Sequence, residues 1–142
     1  LPQPFVTSVM GQNETLRVAL DMTEEWDKAT DGASGLTMGC VVVRTEFAQQ
    51  NKEALDLFLD EYERSVQTVT SAEGLEHAAQ LAEQYNIVKA PVARKAIPAC
   101  NIVFVQGEQM QQIAGGFLEV LYQANPKSVG GKLPDANFYY NR

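Results

Sequence analysis

His77 is the only histidine in the chain, and it lies beside Glu73 and Glu76, off the apolar stripe of its helical segment. With one imidazole, a Ser/His/Asp triad or a histidine-based metal site is not expected, and His77 reads as a solvated surface residue. The two cysteines, Cys40 and Cys100, form no CxxC and no Cys/His cluster, so neither a zinc site nor a disulfide framework is indicated. Cys40, inside Gly39-Cys40-Val41-Val42-Val43, reads as a small buried thiol. A Cys40–Cys100 bridge stays open. Gly130-Gly131-Lys132 evokes a phosphate loop, but Pro126 and Leu133 occupy places that need Gly and Ser or Thr. It reads as a turn. The acidic pairs Glu24-Glu25 and Asp60-Glu61 point in different directions on a helix and do not converge on one proton. Asn13-Glu14-Thr15 matches a glycosylation acceptor, a triplet that is frequent by chance.

More promising for ligand contact is Asp21-Met22-Thr23-Glu24-Glu25-Trp26, which follows an apolar run. Trp26 offers a flat face to an aromatic or cationic group, and the Thr23 hydroxyl with nearby backbone N–H groups could hold a polar group or cap a helix. Core packing of Trp26 is the plain alternative. The small-residue loop Asp31-Gly32-Ala33-Ser34-Gly35 places Ser34 and Thr37 before a second apolar run, where loops often close over ligands.

These residues need elements to hold them. The chain has 142 residues, 45% hydrophobic and 20% charged, enough for one domain with a core. Its formal net charge of −7 disfavours nucleic acid and anionic lipid surfaces as partners. Leu16-Arg17-Val18-Ala19-Leu20, the run from Met38 to Val43 and Ile102-Val103-Phe104-Val105 read as strands, the last two as strands covered on both faces. Between them lie helical patterns. Leu55, Phe58, Leu59, Tyr62, Val66 and Val69 make one stripe over residues 52–69. Thr70 and Glu73 form a capping-box pattern before a helix on Leu75, Ala78, Ala79, Ala82 and Tyr85, with Asn86 as a left-handed stop. A short helical segment over 91–97 follows. A further helix carries Met110, Ile113, Phe117, Val120, Leu121 and Ala124 and ends at Asn125-Pro126. Phe138-Tyr139-Tyr140 is expected to fold back on the body. The expected fold class is therefore α/β: a layered sheet of few mixed or parallel strands flanked by helices.

The opening Leu1-Pro2-Gln3-Pro4 has no initiator Met and no leader, which suggests a connecting segment within a longer protein. Leu1-Pro2-Gln3-Pro4-Phe5-Val6-Thr7, the Leu-Arg-Val-Ala-Leu-Asp run, Ala96-Ile97-Pro98-Ala99-Cys100-Asn101-Ile102 and residues 125–134 together resemble the substrate-binding proteins of ABC importers. The branch is that of nitrate, sulfonate and thiamine-pyrimidine-precursor binders, with a two-lobed type II periplasmic-binding-protein fold. The resemblance implies a hinge or crossover over 1–15, the carboxy-terminal part of one lobe over 16–142, and an amino-terminal half supplied from elsewhere. It implies an extracytoplasmic protein, lipid-anchored or periplasmic, that closes on a small organic solute, delivers it to a permease, and is not an enzyme. Ligand contacts are then expected at Gln3, Thr23, Trp26, Ser34, Thr37 and Asn101, with no metal and no cofactor. The rival expectation is a biosynthetic enzyme of the same fold, with Cys100 as the reactive candidate.

Overall fold

A computed structural model describes all residues, 1–142, and every regular element in it is helical. The elements divide into two compact units: Leu1–Arg17 with Thr45–Phe104, and Val18–Arg44 with Val105–Arg142.

In the first unit, α1 (Phe5–Gln12) is followed after an interval by α3 (Thr45–Gln50) and α4 (Lys52–Thr70), α2 (Met22–Thr30) lying in the other unit. Helix α4 is the expected amphipathic helix. Leu55 and Val66 are buried, and Lys52 pairs with Asp56 one turn on at 3.0 Å. Its end is tied off by hydroxyls: Thr70 Oγ1 donates to the Val66 carbonyl at 2.8 Å, and Ser71 Oγ accepts the Gly74 N–H at 3.0 Å. The capping box expected from Thr70 and Glu73 is therefore replaced by a tighter Ser71 turn. Gly74 is required in it, because a Cβ there would collide with the Thr68 carbonyl.

Helix α5 (Leu75–Gln84) stops as its sequence predicts. Asn86 adopts a left-handed φ of 56°. The Ile87 N–H then bonds the Ala82 carbonyl at 2.8 Å and the Asn86 N–H bonds that of Glu83 at 3.0 Å, the paired bonds of a Schellman ending. Helix α6 (Ala90–Ala96), opened by Pro91, runs into a 3₁₀ turn at Ile97–Ala99. Helices α5 and α6 form a hairpin whose buried side chains are Ala78, Ala79, Ala93 and Ala96. Small side chains let two backbones approach closely, which gives a tight hairpin with little bulk in its seam.

In the second unit, α2 (Met22–Thr30) begins at Asp21, whose Oδ1 accepts the N–H groups of Thr23 at 2.8 Å and Glu24 at 3.4 Å. Glu24 and Glu25 occupy its first turn and Lys28 its last, as the helix dipole favours. Asp31, at φ 52°, closes it. Helix α7 (Gly107–Ala124) covers the expected apolar pattern and begins three residues before Met110. A 3₁₀ turn at Pro126–Val129 follows, in which Asn125 Oδ1 accepts the Lys127 N–H at 3.1 Å.

The α/β expectation fails. Residues 16–20, 38–43 and 102–105 form no strand, and no backbone–backbone hydrogen bond is donated or accepted within 17–20, 35–44 or 101–105. Several of their side chains are strongly exposed, Met38 at 81% and Val42 at 80% among them. The physical reason is that a strand cannot satisfy its own backbone. β-Branched composition suits a pleated surface only when a neighbouring strand supplies the ladder, whereas a helix closes its bonds locally. No segment here supplies that neighbour. Without a sheet, a layered α/β lobe of the type II periplasmic-binding-protein kind is not what this chain forms.

Candidate functional site

The α5–α6 hairpin builds a sizeable concavity, and it does so from the bottom up. Alanines at the seam draw the helices together, while Leu81, Ala82 and Tyr85 continue the same α5 face beyond the closest packing. After the Schellman turn the chain bends at Val88, Lys89 runs extended into α6, and Ile97, Cys100 and Ile102 follow beyond its far end. The result is an apolar groove of about 390 Å³ between these surfaces, closed at its margins by Val69 of α4 and Pro4. Tyr85 and Ile87 stand on its rim, 71% and 74% exposed.

Two ion pairs hold the groove's walls. Arg94 of α6 grips Glu76 of α5 in a fork, Nε to Oε2 at 2.6 Å and Nη2 to Oε1 at 2.7 Å. Glu83 does a double task at the other end. Its Oε1 accepts from Lys89 Nζ at 3.0 Å, and its Oε2 accepts the Ala90 N–H at 3.0 Å. The Arg94 hydrogen bonds hold the Glu76 carboxyl below the usual range, and the Ala90 N–H, aided by Lys89, does the same for Glu83. Both stay ionised at neutral pH. Burial instead pushes the Cys100 thiol up, the direction opposite to that of an activated nucleophile. A smaller recess of about 170 Å³ is lined by Glu83, Asn86, Val88 and Lys89, of which Val88 also lines the groove.

Of the sequence-nominated residues, Cys100 lines the groove, and the six nominated as ligand contacts are not among its lining residues. In the second unit, the Trp26 indole N–H donates to the Ser34 carbonyl at 3.0 Å and to Ser34 Oγ at 3.1 Å, and its ring packs 5.2 Å from that of Phe117. Ser34 is itself buried against α7, where a Cβ on Gly116 would come within 2.8 Å of the Ser34 Cβ. The structure thus brings Trp26 and Ser34 together in packing. Thr23 is exposed in the first turn of α2 and gives its N–H to Asp21, and Thr37 is half-buried. In the first unit, Gln3 Oε1 accepts from Thr7 Oγ1 at 2.7 Å, and Asn101 is exposed at a left-handed φ of 51°. Cys40, expected to be buried, is exposed, and both cysteines are free thiols. His77 is exposed. No three or more His, Cys, Asp or Glu side chains gather where a metal ion could be held, and no helix is long and apolar enough to cross a membrane.

Sequence reasoning missed the groove because its helical lining residues read as ordinary helix core, Ile102 as part of a strand and Pro4 as part of a connecting segment. The signal was present in the run of small residues at 78, 79, 82, 93 and 96, which cannot fill the space that their neighbours frame. Comparison with family models, curated proteins and solved structures finds no match for this chain. The resemblance to ABC-importer binding proteins is overturned by the absence of any sheet together with the absence of any such relative.

Proposed function

We propose that this chain is a binding module that captures a small, largely apolar organic molecule in the α5–α6 groove and does no covalent chemistry there. Solute capture, the sequence-based expectation, is kept in this coarser form, without the two-lobed fold or the importer. The observation that carries the reading is the groove itself: about 390 Å³, lined almost wholly by aliphatic and aromatic side chains. That volume lies within the range of small-molecule sites, which are mostly apolar with a few polar groups at the edge. Binding is favoured over catalysis because burial pushes the thiol of Cys100, on the wall, up and away from the thiolate form that attacks, and the chain's one histidine, His77, is not among the residues lining the groove.

The test is fluorescence titration with an anilinonaphthalene dye on the intact chain. Ala82→Phe, which fills the groove from α5, and Leu81→Arg, which places a charge in it, are expected to weaken dye binding at least tenfold (about 1.4 kcal/mol). Far-UV circular dichroism verifies that both variants keep their helices. Dye affinity unchanged in both folded variants would contradict the proposal.

A further inference from the structure

We infer that the run Gly35–Val43 is a docking strand that pairs, antiparallel, with the same run of a second copy of this chain. It stands apart from the groove, none of whose lining residues lies in it. From Gly35 to Val43 no residue makes a hydrogen bond, by backbone or by side chain. The run holds no charge and no proline, in a chain of net charge −7, and it ends in three of the β-branched residues that suit a pleated surface. Exposure along it alternates. Met38 and Val42 are 81% and 80% exposed and Cys40 is exposed, whereas Val41 and Val43 fall to 49% and 36% and Thr37 is half-buried. A period of two is that of an extended strand with one side to solvent and the other towards the body. At Gly39 a Cβ would meet nothing within 4 Å, so another backbone has room to come close.

The bare backbone fixes the chemistry of what covers this run. A helix or a small apolar molecule would shield Met38 and Val42, but a helix has already spent its backbone groups and neither offers a row of N–H and C=O groups. A second strand does both. The same run on a second copy supplies such a strand, bare of backbone partners in the same way. It sets no charge against a charge, so the −7 of each copy acts between the bodies and not at the contact. A two-fold pairing is also self-complementary. Centred on Cys40, it sets Met38 against Val42, Thr37 against Val43 and Gly39 against Val41, and keeps the exposed side chains of both copies on one face. Ser34, buried against α7, and Thr45, which opens α3, bound the run and keep the pairing short. Two runs of this length bury less than the roughly 1,200 Å² at which stable interfaces begin, so the pair is weak and reversible.

Sedimentation equilibrium and amide I infrared spectra of the intact chain, over a concentration series and with Cys40→Ser to exclude disulfides, make the test. The average mass is expected to rise with concentration from one copy towards two, and a strand band, absent from the helical monomer, to grow in step. Added salt is expected to tighten the association, because it screens two bodies of like charge and breaks no ion pair at the contact. Val42→Lys is expected to weaken it about tenfold or more, and Val42→Thr to keep it within about twofold. Val42 is exposed, so both variants are expected to fold, and circular dichroism verifies this. In the native chain, diamide oxidation is expected to join Cys40 to Cys40, since residues opposite one another lie within disulfide reach. A chain that stays at one copy overturns the pairing. So does a mass rise without the strand band, which marks contact by side chains alone, or growth past two copies, which marks open-ended stacking. A paired species that forms no Cys40–Cys40 link overturns the centring on Cys40.

Discussion

Trp26 shows how a residue's chemistry can be read correctly and its employment missed. Its type suggested a ligand-stacking face, but its indole N–H is committed to Ser34 and its ring to Phe117. The sequence gives no sign of the Ser34 pairing, because it depends on the left-handed turn at Asp31 that swings the loop back. Trp26→Phe keeps the ring and removes the donor. It is expected to lower the unfolding free energy by about 1–2 kcal/mol in urea titration. Gly116→Ala sets two effects against each other. Alanine gains about 1 kcal/mol of helix propensity, but its methyl enters the Ser34 Cβ, and overpacking of that kind costs about 1–3 kcal/mol. The net is expected to be destabilising, and Ser34→Gly in the same chain should recover part of the loss. The cysteines differ in the same concrete way. Cys40 is exposed while burial raises the Cys100 thiol, so a thiol reagent near neutral pH should label Cys40 first.

At the scale of elements, the helices with a long apolar stripe were legible. Helices α4, α5 and α7 lie where periodicity placed them, and Asn86 ends α5 in the left-handed conformation that its type favours. Helices α1, α2 and α3 were not read, since six to nine residues give a weak 3.6-residue pattern, whereas α6, of seven, was read over 91–97. The three apolar runs misled for a different reason. Their composition is that of strands, but pairing is a property of two segments, and composition describes one. The α5–α6 hairpin also carries a pH dependence whose sign is fixed. Glu76 and Glu83 have folded pKa values depressed below their unfolded ones by Arg94 and by the Ala90 N–H with Lys89. Their contribution is complete above the ordinary carboxylate range and is lost as pH falls through the folded values. Urea midpoints measured across that range should fall on acidification, and the Glu76→Gln, Glu83→Gln double variant should show a shallower fall. Both groups are exposed, so high salt should shrink the effect.

For the molecule as a whole, every regular element is helical, and the buried apolar side chains are Leu55, Val66 and four alanines. Such a core supports α4, α5 and α6 modestly, and the ion pairs at the hairpin ends are exposed and add little to it. The same small residues leave the groove. What the sequence made legible was the set of helices that build it; what stayed hidden was the space between them, which only packing reveals. The account therefore turns on whether that space takes a ligand, and Cys100, on its wall, reports this directly, with Cys40 as the internal control. Thiol-labelling rates of the two cysteines, resolved by peptide mass spectrometry with and without the saturating anilinonaphthalene dye, make the measurement. Labelling of Cys100 is expected to slow about tenfold or more while Cys40 keeps its rate. Unchanged labelling of Cys100, or equal slowing at both thiols, would contradict a ligand seated in the α5–α6 groove.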